Sequence, residues 1–116
     1  MREILFRGKR TVIGDWISGF LVDGTHIGSW LECEPVHPET VGQFTGLTDK
    51  NGKKIFEGDI IQHGKRKGTI FYYGNFGMFM ISWIPNGGAN IFMNVLHTEV
   101  EVIGNIHDNP ELLEGA

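Results

Sequence analysis

Short runs of alternating apolar and polar residues, broken by glycine-bearing turns, recur along the chain, and no segment sustains a helical period. "EILFR" (residues 3–7) predicts a first strand, and "TVIGDWISGFLVDGTHIGSWLE" predicts two more around Asp23-Gly24, a hairpin dipeptide. "CEPVHPETVGQ", with two prolines and little periodicity, predicts a loop. From Phe44 onward the alternation tightens. "TGLTDKNGKKIF" is a hairpin around Asn51-Gly52, followed by "GDIIQHG", the basic turn "KRKG", "TIFYY", the turn "GNFG", "MFMISWI", the turn "PNGGAN", "IFMNVL" and "EVEVIGNI". In "MFMISWI" Phe79, Ile81 and Trp83 share one face and Met78, Met80 and Ser82 the other, which puts the aromatic face inside. Val100 and Val102 point inward, with Glu99 and Glu101 outward. Short strands bent by bulges at glycines such as Gly104 close most simply into a small, strongly bent barrel. "DNPELLE" predicts a short C-terminal helical turn with Asn109 as its cap and Pro110 at its first position. The expected layout is a mainly β domain with an N-terminal β-hairpin region and loop over 1–43, a barrel over 44–107 and the turn over 108–116.

Composition sharpens this picture in two places. Seventeen glycines in 116 residues are about twice the roughly 7% average, as a turn-rich β domain requires. Cys33 is the only cysteine, so no intramolecular disulfide forms. With no apolar run of signal-peptide or membrane-spanning length, a reducing, cytoplasmic setting is the expectation.

The formal net charge is −4, yet all ten Lys and Arg precede residue 68. They fall into three groups: Arg2, Arg7, Lys9, Arg10; then Lys50, Lys53, Lys54; then Lys65, Arg66, Lys67. A two-residue Asn51-Gly52 turn sets Lys50 against Lys53, an unfavourable opposition of like charges, with Asp49 against Lys54 as partial compensation. The second and third groups are candidate phosphate contacts for a nucleic acid, with Tyr72, Tyr73 or Phe76 as base-stacking platforms and His63 as an auxiliary phosphate ligand. Solvated turns that block edge pairing are the plainer explanation of the same cations. Met78, Met80 and Met93 are the candidate protein interface, because methionine makes adaptable contacts, and a free strand edge accepts another chain.

Catalytic chemistry finds less support. Asp49, Glu57 and Asp59 gather carboxylates near one turn, but a partner lysine, a turn-capping role and a surface position account for them more simply than acid–base work or a cation site. His26, Cys33 and His37 match no zinc spacing and lack a fourth ligand nearby. "PNGGAN" has neither the lysine nor the following helix of a phosphate-binding loop. No cofactor and no catalytic centre are expected.

"MREILFR", "TGLTDKNGKKIFEGDII" and "EVIGNIHDNPELLEG", in that order and separation, resemble the YopX family of phage and prophage proteins. The resemblance implies a phage or prophage origin and a β-rich fold with a small barrel similar to Src-homology-3-like barrels. It implies no activity. The expectation is a non-catalytic binding module that meets a protein partner or itself, with nucleic acid as the alternative partner.

Overall fold

The computed structural model describes residues 4–28, 32–74, 77–84, 89–92 (backbone alone) and 97–113. The chain forms two compact units, Met1–Gly46 and Leu47–Ala116, and the boundary falls inside one strand.

In the first unit, β1 (Phe6–Lys9), β2 (Trp16–Asp23), β3 (His26–Gly28), β4 (Cys33–Pro35) and the start of β5 (Gly42–Thr48) form an antiparallel array in the order β4-β3-β2-β1-β5. A hairpin forms between β2 and β3, but its loop is Gly24-Thr25, one residue past the predicted Asp23-Gly24 dipeptide, because Asp23 pairs with His26 and the register shifts between Leu21 and Asp23. Its turn is fixed by the Asp23 carboxylate, which accepts the Thr25 N–H at 2.8 Å and the Thr25 hydroxyl at 2.9 Å. The expected loop at residues 33–43 is more ordered than its prolines suggested. It holds β4, a 3₁₀ turn at Pro38–Thr40 and the first residues of β5. Pro35 is tolerated because β4 lies at the outer edge, where a missing N–H costs no ladder bond. The Thr40 hydroxyl ties the turn down, accepting the Lys9 N–H and donating to the His37 carbonyl. Ile27 and Val36 are buried here against Gly8, where an added Cβ would lie 3.1 Å from either side chain. That spacing fixes the inner side of β1.

The second unit holds β6 (Lys54–Phe56), β7 (Asp59–His63), β8 (Arg66–Tyr73), β9 (Met78–Ile84), β10 (Ala89–Phe92) and β11 (Glu101–Asn105). Five of these form an antiparallel sheet in the order β10-β9-β8-β7-β11, while β6 pairs with the end of β5. The expected closed barrel is therefore corrected to two antiparallel sheets. Closure needs the outer strands to pair with each other, and β10 and β11 remain the edges of their sheet. The predicted bulge is present, since the β11–β7 register shifts between Val102 and Gly104. Ile55, Ile61, Ile70, Phe79, Ile81, Trp83, Val100 and Val102 pack as one core, with Leu47 against it. The inward face of "MFMISWI" is as read from the alternation. Met80, on the other face, is buried as well.

Candidate interaction surfaces

The Asn51-Gly52 hairpin is one residue longer than its dipeptide suggested. Asp49 N–H donates to Lys53 O at 2.8 Å and Gly52 N–H to Asp49 O at 3.0 Å, so Lys50 and Asn51 occupy a four-residue turn and Gly52, at φ +83°, follows in the left-handed region. This is a three-residue loop with a glycine bulge. Lys50 lies within the turn rather than opposite Lys53, and the expected clash of like charges does not arise. Asp49 also corrects its assigned partner. Its carboxylate, 4% exposed, accepts the N–H groups of Asn51 and Lys53 on Oδ1 and of Val102 on Oδ2, all at 2.8–2.9 Å. Burial alone would raise its pKa. The amides of Val102, Lys53 and Asn51, with the Lys53 charge, outweigh that and hold it below the ordinary value. Asp59, 1% exposed, accepts the Phe56 N–H at 2.7 Å beside Gly58 at φ +91°, the turn role read from the sequence. Glu57 is half-buried in that turn. Asp49 and Asp59 are thus committed to backbone amides.

The predicted basic turn "KRKG" is split. Gly64 (φ +61°) and Lys65 form a two-residue loop, while Arg66 pairs with His63 and Lys67 with Gln62 on β8. Neighbouring strand residues point to opposite faces. The Arg66 guanidinium lies 4.3 Å from the centre of the Trp83 ring, with His63 at 6.5 Å, whereas Lys67 shares a row with Gln62, Ile84 and Glu101. The two basic groups do converge. Lys50 N–H donates to Val100 O at 3.0 Å, and Asn51 Nδ2 reaches Glu101 Oε2 at 3.4 Å. Acids come with them, because Glu101 occupies the Lys67 row and Glu99 Oε1 lies 3.6 Å from His63 Nε2. Lys50, Lys53, Lys54, Lys65 and Arg66 are exposed and Lys67 is half-buried. This end is a weave of both signs.

Of the proposed aromatic platforms, Tyr72 is 48% exposed and edge-on to Phe79, Tyr73 is half-buried, and Phe76 lies outside the described residues. Met78 is half-buried and Met80 is 9% exposed, so Met80 offers little surface; Met93 lies outside the described residues. The three residues weighed as metal ligands take separate roles. His26 Nδ1 contacts Asp23 at 3.1 Å, Cys33 is exposed on β4, and His37 Nδ1 is 3.8 Å from Glu39. Among the described residues, no group of three or more His, Cys, Asp or Glu side chains is placed to hold a metal.

A surface that the charge-led reading passed over lies in the first unit. Phe20 is 65% exposed, Val12 85%, Ile13 65% and Val22 46%. The register Lys9↔Trp16 and Arg7↔Ser18 places Trp16, Ser18 and Phe20 on one face of β2 together with Lys9 and Arg7. This is the face opposite Gly8 and its buried neighbours. Trp16 lies half-buried beneath two cations, the Arg7 guanidinium at 4.8 Å and the Lys9 ammonium at 5.8 Å from its ring centre. At the margin, Arg10 forms a two-pronged pair with Asp15, Nε to Oδ1 at 2.6 Å and the terminal nitrogen to Oδ2 at 2.5 Å. At the far end of β2 the Asp23 carboxyl is lowered to about 2 by the Thr25 amide and hydroxyl and by His26. The signal was present in "GFLVDG". Three consecutive apolar residues in an alternating strand cannot all face inward.

No curated protein matches the chain. The crystal structure of protein EF1440 from Enterococcus faecalis is similar to it, with a TM-score of 0.60 and 29% identity over 98% of this chain and 100% of that one. No helix among the described residues is long and apolar enough to cross a membrane. A family model described as YopX protein matches residues 21–114, which takes in the Asn51-Gly52 hairpin, the five-stranded sheet and the C-terminal turn; the chain belongs to the YopX family.

Proposed function

We propose that the chain is a non-catalytic protein-interaction module of phage or prophage origin, acting in the cytoplasm of a bacterial host through the outer face of β2. The observation that carries this reading is the exposure of Phe20 and Val22, with Val12 and Ile13 in the adjoining turn, on a unit that has buried cores elsewhere. Exposed apolar side chains close together in one stretch of chain are the usual mark of a protein contact. Fully desolvating a Phe or Val side chain is worth about 1.5–3 kcal/mol, so even two of them at the centre of a contact set its affinity. Nucleic acid is the less favoured partner, because Glu99 and Glu101 stand among the cations of the second unit.

A photo-crosslinking amino acid placed at position 20 in the full chain, in bacterial cells, is expected to yield a defined protein adduct on irradiation. The same probe at the exposed Lys65 is expected to yield none. Absence of any protein adduct from position 20 overturns the proposal.

A further inference from the structure

Asn51-Gly52 carries a chemistry of its own besides setting a turn. In an asparagine followed by glycine, the next backbone nitrogen attacks the side-chain amide with least hindrance, because glycine puts no Cβ in the way. The structure leaves this pair open to water. Asn51 and Gly52 are both exposed, and a Cβ built on Gly52 would meet nothing within 4 Å. Hydrogen bonds are what restrain the reaction. The Gly52 N–H is donated to Asp49 O at 3.0 Å, which keeps that nitrogen protonated and turned toward Asp49. The Asn51 N–H is tied to Asp49 Oδ1 at 2.8 Å, and the Asn51 side-chain amide reaches Glu101 Oε2 at 3.4 Å. Asp49 is itself fixed by the Val102 N–H on its other oxygen. Nucleophile and target are each held by another partner, and both restraints lead to β11.

We infer that Asn51 is a site of spontaneous deamidation whose rate is set by how often the hairpin detaches from β11. When the turn opens, Gly52 N loses its proton to solvent and attacks Asn51 Cγ. The Cγ–Nδ2 bond breaks, Nδ2 leaves as ammonia, and a cyclic succinimide remains, which water opens at either carbonyl. The net reaction consumes one water, releases one ammonia and needs no oxidant. Aspartate is one product; isoaspartate, with its backbone lengthened by a methylene, is the other. Either one sets a carboxylate where Nδ2 met Glu101, turning an attraction into a repulsion. The longer backbone also moves the Lys53 N–H away from Asp49 Oδ1. Conversion therefore records past opening and makes later opening easier.

The test follows position 51 in the full chain at neutral pH, folded and in urea, by peptide mapping that separates the Asn, Asp and isoaspartate forms. Conversion is expected in both, at least about tenfold slower in the folded chain, where the fraction of time spent open sets the rate. Across sub-denaturing urea, the rate is expected to rise in proportion to amide exchange at Val102, since both need the same opening. Asn51→Asp, the product in fixed form, is expected to speed Val102 exchange several-fold relative to Asn51→Ser, which loses the amide without adding charge. No conversion in urea overturns the site. Equal rates in the folded and unfolded chain, or a rate that does not follow Val102 exchange, overturn the gate. Val102 exchange no faster in Asn51→Asp than in Asn51→Ser overturns the loosening of β11.

Discussion

Asp49 shows how a residue that reads as a charge partner becomes a structural bracket. Its two oxygens accept three amides, the Val102 N–H in a buried bond and the Asn51 and Lys53 N–H groups in partly buried ones, and leaving a buried amide without its acceptor costs about 1–3 kcal/mol. Asp49→Ala is expected to destabilise the second unit by roughly 2–5 kcal/mol, read as a shifted urea midpoint. The pH dependence has a definite sign. The folded carboxyl sits below its unfolded value, so its stabilisation is present above about pH 4 and is lost as pH falls through the folded pKa. Asp49→Asn is expected to flatten that acid limb while staying less stable than the parent at neutral pH. A parent-like acid limb in Asp49→Asn would assign the effect to other carboxyls. The sequence announced a turn here, but its extra residue is set by the bulged glycine and by an amide 53 positions away, which no local pattern encodes.

At the level of elements, the hairpins, the inward face of β9 and the bulge in β11 were legible, because turn dipeptides and period-two alternation are local. Closure was not. Whether a run of short strands joins its ends or stops as an open sheet depends on which strands become neighbours, and β6 pairs with the end of β5 instead of joining β7 and β8. The chain divides into its two units between Gly46 and Leu47 within β5, where unbroken strand character leaves no mark in the sequence. The C-terminal turn was also partly misread. Asn109 does not cap forward; its Oδ1 accepts the Asn105 N–H at 3.2 Å. An added Cβ on Gly104 would come within 2.5 Å of that oxygen. Gly104→Ala is therefore expected to displace Asn109 and loosen Pro110–Leu113 at a cost of about 1–3 kcal/mol, seen as faster amide exchange at Asn105 and Leu112. Unchanged exchange at both amides would show that the turn accommodates a methyl group.

Over the whole molecule, the gathering of all ten cations before residue 68 makes neither unit basic. The first unit carries four cations and six acids, the second six cations and eight acids. Each is mildly negative, and the lysines that prompted a nucleic-acid reading share their end of the second unit with Glu99 and Glu101. Combined replacement of Lys50, Lys53 and Lys54 by Ala is expected to leave the position-20 crosslink unchanged. Fluorescence anisotropy with labelled DNA or RNA is expected to show no binding at physiological salt. Micromolar binding that weakens steeply with added salt and vanishes in the triple variant would restore those cations to a phosphate-binding role. The apolar face of β2 was as legible as the cations, in "GFLVDG", but charge is easier to notice in a sequence than an apolar residue with nowhere to hide.

The bracket at Asp49 also orders events in time. A ribosome delivers residues 49–53 long before Val102, so the nascent hairpin has one carboxylate oxygen without its eventual donor until β11 arrives. A messenger cut short before that codon would yield a chain whose central turn is drawn but never fastened, and quality-control proteases would meet it as an open loop.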